Sequence, residues 1–93
     1  MANGVSVEKS AVRGGIGCAQ TSIRELDGAA KSLARSYSQA GSGGWHDQKY
    51  AALGSIISEC CGALSQPIAE LEECIRKLEA LLEAIEQYEN TSL

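Results

Sequence analysis

The chain has 93 residues, a formal net charge of −4, one Pro, one Trp and no Phe. That length holds one domain with a modest core. An acidic chain with eight scattered basic residues is not a nucleic-acid binder, because neutralising phosphates needs clustered Lys and Arg, and no apolar run approaches the roughly 20 residues of a membrane span.

The chain opens M-A-N-G-V-S-V-E-K-S. No basic segment leads into an apolar stretch there, so a Sec signal peptide is not expected. The expectation is synthesis in the cytoplasm, with any export by a route that does not read that signal.

Ala, Leu, Ile, Ser, Glu and Gly dominate, a helical composition. A first helix is expected over about 6–40. Val12, Ile16, Ala19, Ile23, Leu26, Ala30, Leu33, Tyr37 and Ala40 recur at steps of 3 and 4, the seam of a heptad. Val5 fits the same frame and Lys9 breaks it. The run R-G-G-I-G-C weakens this helix, because each interior glycine costs about 1 kcal/mol relative to alanine. Fraying of the first turns, or a start near Gly17, is expected. The same run is no phosphate loop, since G-x-x-x-x-G-K-[ST] and a preceding strand are both missing. Beside the seam lies a row of small residues, Gly15, Ser22, Ala29 and Ser36. It admits two readings: room for another helix to approach, or a low-bulk edge.

A turn is expected over 41–46. Gly43 and Gly44 supply the backbone freedom that ends a helix, and Trp45 and His46 follow. Asp47 suits a helix start, by capping and by charge. Neither His46 nor its neighbours form a nucleophile–base pair, and no paired carboxylates or cofactor motif occur. Neither an enzyme nor a bound cofactor is expected.

The second helix is expected over about 47–89, with a short tail at 90–93. Its apolar series is Tyr50, Leu53, Ile57, Cys60, Leu64, Ile68, Leu71, Ile75, Leu78, Leu82 and Ile85. Read on these residues, the heptad contains one step of 11, a stutter, with Pro67 inside it. Proline removes a hydrogen bond and crowds the preceding turn, so a kink or short break is expected near Ser65–Pro67. A further track, Ile56, Ala63, Cys74, Leu81 and Tyr88, lies off the seam. One partner helix cannot cover it, which points to a second hairpin completing a four-helix bundle. That hairpin is another copy or a different chain. Glu72–Arg76 and Glu73–Lys77 are spaced as stabilising i,i+4 pairs.

The four cysteines, Cys18, Cys60, Cys61 and Cys74, contain no C-x-x-C and have no His at zinc-ligand spacing. They read as reduced, buried small apolar groups, with no metal site. Cys18 and Cys74 are the one pair a hairpin could bring close.

Two long helices joined by a glycine turn bearing a Trp, in a chain near one hundred residues, resemble the WXG family of type VII secretion. Here the motif reads Trp45-His46-Asp47, with Asp47 where the family has its second glycine. The resemblance implies a small secreted substrate, or a partner for a larger one, in a Gram-positive bacterium. It implies homodimers, or heterodimers with a related hairpin or an LXG-type toxin's N-terminal domain. It also implies contact between the Trp region and the secretion ATPase. The family's C-terminal signal, Y-x-x-x-D/E, corresponds to Tyr88-Glu89-Asn90-Thr91-Ser92, where Ser92 replaces the acid. Tyr88 is therefore read either as part of a signal completed by a partner or as a packing residue. A helical-bundle module unconnected with secretion is the alternative, and a redox or metal-sensing bundle a third.

Overall fold

The computed structural model describes residues 3–91, with side chains from Val7 to Glu89. It is all-α: α1 spans Asn3–Ser42 and α2 spans Gln48–Thr91, with no strand among the described residues. The contacts group the chain into two units. One joins Met1–Ile23 to Glu70–Leu93, and the other is Arg24–Ala69.

α1 runs unbroken through Arg13–Cys18, so the expected start near Gly17 is corrected. The seam explains why. Val12 and Ala19 are buried and Ile16 is half-buried, so the glycines sit within a stretch anchored on both sides. α2 likewise runs through Pro67 without the expected break. Proline removes one donor, that for the Ala63 carbonyl one turn back, and half-buried Leu64 and Ile68 flank the gap. The Ser65 hydroxyl donates to the Gly62 carbonyl at 2.6 Å, a local bond that helices tolerate. The expected tail is helical as far as Thr91; Ser92 and Leu93 lie outside the described residues.

In the unit of Met1–Ile23 and Glu70–Leu93 the helix segments are antiparallel. Lys9, which looked like a break in the frame, occupies the seam. Its ammonium meets the Glu89 carboxylate at 2.9 Å, with the Lys9 side chain mostly covered. Arg13 reaches Glu86 at 3.6 Å, and Gly15 faces the Leu78 methyls. Arg76 pairs with Glu73 through Nε at 2.9 Å and Nη2 at 2.6 Å, rather than with Glu72. The guanidinium holds the Glu73 carboxyl below its ordinary value, with a smaller contribution from Lys77. One guanidinium edge supplies both bonds, so the nearer carboxylate takes it.

The unit Arg24–Ala69 is a hairpin in itself. The Cys61 thiol donates to the Ala30 carbonyl at 3.6 Å, and Asp27 pairs with Lys31 along α1 at 2.9 Å. Cys61, not Cys60, is the half-buried neighbour of Ile57 and Leu64. Likewise Gly54 faces α1, pressed by Tyr37. With Gly54 and Cys61 taken as seam residues the stutter disappears. Tyr50, Ile57, Leu64, Leu71, Leu78 and Ile85 then repeat every seven residues. So do Gly54, Cys61, Ile68, Ile75, Leu82 and Glu89, and all twelve are half-buried. The expectation of buried thiols is corrected too. Cys18, Cys60 and Cys74 are exposed, and all four cysteines are free.

Candidate functional site

The turn is built from two helix ends that share side chains. α1 closes through a pair of crossed bonds. The Gly44 amide donates to the Gly41 carbonyl at 3.0 Å and the Trp45 amide to the Ala40 carbonyl at 3.3 Å. This is the Schellman arrangement, which needs a left-handed residue at its centre. Gly44 provides it, with φ +99°. Gly43 continues the helical pattern, its amide donating to the Gln39 carbonyl at 3.0 Å. Trp45 is thus the first residue past the α1 cap.

Two residues later Asp47 starts α2. Its Oδ1 accepts the Tyr50 amide at 3.0 Å, the side-chain bond of an N-cap. Its carbonyl accepts the first helical bond, from Ala51, at 3.2 Å. The same Oδ1 accepts the Trp45 indole Nε1–H at 2.8 Å. One carboxylate oxygen therefore caps α2 and orients the Trp45 ring. Asp47→Ala is expected to destabilise the chain by about 1 kcal/mol, the usual value of an N-cap. Thermal unfolding measures that loss, and a red-shifted, broadened Trp45 fluorescence would report the freed ring.

Beneath the turn lies an aromatic pair that the sequence did not disclose. Tyr37 of α1 and Tyr50 of α2 stack with centroids 4.3 Å apart and planes within 6°. Each phenol reaches over a glycine of the opposite helix. A Cβ on Gly54 would lie 2.5 Å from the Tyr37 hydroxyl, and one on Gly41 would overlap the Tyr50 hydroxyl. The Tyr50 hydroxyl donates to the Tyr37 carbonyl at 3.1 Å. Desolvation, then side-chain hydrogen bonding and charge interaction with the Tyr37 phenol, push the Tyr50 phenol above its ordinary value. The Trp45 ring leans on Tyr50 at 5.7 Å and 55°, and the His46 ring meets it edge-on at 5.8 Å. Trp45 remains 40% exposed. Because its N–H is already bonded, the outward ring offers apolar surface without an unmet donor.

Against known proteins, the chain matches no family model, no curated protein and no solved structure.

The residues singled out for an interface divide between the two units. In Arg24–Ala69, Ala29, Ser36, Ile56 and Ala63 are exposed. In the other unit Cys74, Leu81 and Tyr88 are exposed, Leu81 by 50% and Tyr88 by 70%. Gly15 and Ser22 there are half-buried. Gly15 packs on Leu78 of its own chain, so part of the small row serves the hairpin itself. Among the described residues no three His, Cys, Asp or Glu side chains gather as metal ligands, and no helix is long and apolar enough to cross a membrane.

Proposed function

We propose that this chain is a non-enzymatic interaction protein of the WXG type, working with type VII secretion in a Gram-positive bacterium. It acts as a small secreted substrate or as the targeting partner of a larger, LXG-type toxin. Its helices complete a four-helix bundle with a related hairpin or with the larger substrate's N-terminal helices, α2 bending at Pro67. The Trp45 turn and the Tyr88 end of α2 serve as the address read by the secretion ATPase.

One observation carries this reading. Trp45 sits past the α1 cap with its N–H satisfied by Asp47 and its ring partly exposed. A single large aromatic buried for stability has no need of an outward face; one held in place for recognition does. Its position between two long helices is the one the resemblance assigns to the motif.

Trp45→Ala tests it. Beyond the turn the ring leans only on Tyr50 in the first turn of α2, so the helices are expected to survive, as circular dichroism would show. Export from a type VII-competent Gram-positive host, with the partner gene present, is expected to fall at least about tenfold, the effect of losing roughly 1.4 kcal/mol of recognition. Undiminished export of a folded Trp45→Ala chain would refute the proposal. A second reading is a helical-bundle module without a secretion role. It is favoured by Ser92, which stands where the signal has an acid, and the same export assay separates the two.

A further inference from the structure

We infer that the corner formed by Trp45 and Asp47 is a binding site for an arginine side chain of the protein that reads the turn. The guanidinium stacks on the outward face of the indole and donates from its edge to Asp47 Oδ2. This rests on the reading above that the turn is a recognition site, and it names the chemistry recognised.

The two oxygens of Asp47 do different work. Oδ1 accepts the Trp45 indole N–H at 2.8 Å and the Tyr50 amide at 3.0 Å. Among the described residues Oδ2 accepts no bond. The bond to Nε1 places a charged carboxylate at the edge of an exposed aromatic ring. That ring is held from beneath. It leans on Tyr50 at 5.7 Å, and Tyr50 is itself stacked on Tyr37 at 4.3 Å. A ring fixed before binding has little freedom left to lose on binding.

The two features select one kind of group. The indole face is the best side-chain partner for a cation, and an ionised carboxylate takes only hydrogen-bond donors. A group that answers both at once is planar, positively charged and edged with N–H, which describes the guanidinium. A lysine ammonium is a point charge and cannot stack. An apolar side chain would use the ring but strip water from Oδ2 without replacing it, which costs free energy. The charges permit the match. The α2 N-terminus contributes about half a positive charge, and exposed Lys49 stands two residues on, a spacing that does not face Asp47. Asp47 carries a full negative charge at the point of contact, in a chain of net charge −4.

Trp45 is the one tryptophan in the chain, so its fluorescence and its indole N–H resonance read the corner directly. Titrating the full chain with acetyl-Gly-Arg-Gly-amide is expected to shift both saturably, with a dissociation constant on the order of millimolar, as suits one side-chain contact. The same peptide with citrulline, a neutral group of the same shape, or with leucine is expected to bind about tenfold more weakly, and the lysine peptide more weakly than the arginine one. Asp47→Asn separates the cap from the charge. Asparagine caps as well as aspartate, and its amide oxygen still takes both bonds, but its nitrogen then sets a donor where Oδ2 accepted. This variant is expected to keep its unfolding temperature and to bind the arginine peptide about tenfold more weakly. Trp45→Ala, followed at the Tyr50 amide, is expected to show a similar loss. The inference is overturned by the absence of a saturable shift, by citrulline, leucine or lysine peptides binding as well as arginine, or by full binding to either variant. A chain that ignores the arginine peptide yet is exported in a Trp45-dependent manner sinks this inference and leaves the proposed function standing. A chain that binds the peptide while its export ignores Trp45→Ala does the reverse.

Discussion

Gly54→Ala is expected to destabilise the chain by about 2 kcal/mol, although alanine is the better helix former. Intrinsic preference alone predicts a gain of about 1 kcal/mol for such a change in a helix interior. The sign reverses because the new methyl would lie 2.5 Å from the Tyr37 hydroxyl and 2.7 Å from its Cζ. Tyr37 cannot swing aside freely, since its ring is stacked face to face on Tyr50. Overpacking of this kind costs about 1–3 kcal/mol, and the stack it breaks contributes about 1 kcal/mol more. Gly62 is the control, because a methyl there meets nothing within 4 Å. Gly62→Ala is expected to raise stability. In a Tyr37→Ala background the obstacle is gone, and Gly54→Ala is expected to become stabilising. Denaturant unfolding of the four chains gives the coupling directly. An unchanged cost of Gly54→Ala in that background would show that Tyr37 is not the obstacle. The same stack has a pH signature. The folded chain holds the Tyr50 phenol above the ordinary value of 10.0. Its contribution is therefore complete below that pH and is lost as pH rises through the higher folded value. Tyr50→Phe is expected to remove this alkaline decline.

What could be read from the sequence divides along physical lines. The α1 seam was legible residue by residue, because its bulky apolar side chains all fall on one stripe and the opposite face is polar or small. All nine seam residues from Val12 to Ala40 are buried or half-buried. The α2 seam was legible from Leu64 onward for the same reason. It was misread before that, where two candidates stand side by side. Leu53 is the bulkier choice beside Gly54, and both are half-buried; Cys60 and Cys61 are the same residue type, and only Cys61 is half-buried. Yet the space over Gly54 is filled by a tyrosine from the other helix, a fact of pairing register that no local pattern encodes. The apparent stutter followed from that one misreading.

The turn divides in the same way. Gly44 and Asp47 announce themselves, because a left-handed cap and an N-cap make local demands on residue type. The bond from the Trp45 indole to Asp47 was not legible. It depends on two helix ends arriving within two residues of each other. The aromatic pair was missed for want of any signal beyond two tyrosines flanking the turn. Cys74, Leu81 and Tyr88 were legible as exposed surplus, but Ile56 and Ala63 joined their track only through the 11-residue step and leave it once the heptad is continuous.

Replacing Gly14, Gly17 and Gly28 together by alanine is expected to give the largest gain in stability available in α1. A methyl at each of the three would meet nothing within 4 Å. Each glycine leaves the unfolded chain more conformational freedom than alanine does, so each costs about 1 kcal/mol in a helix interior. Gly28 lies far along the helix from the other two, and the combined gain is expected to reach roughly 2–3 kcal/mol. For a chain this size each kcal/mol raises the melting temperature by about 4–8 °C, and thermal unfolding followed by circular dichroism reads the shift. Gly15 makes a sharper comparison. An added methyl there would lie 3.5 Å from Leu78, an ordinary contact, so the hairpin itself accepts Gly15→Ala. A triple variant no more stable than wild type would mean that the glycines are held by contacts outside the isolated chain.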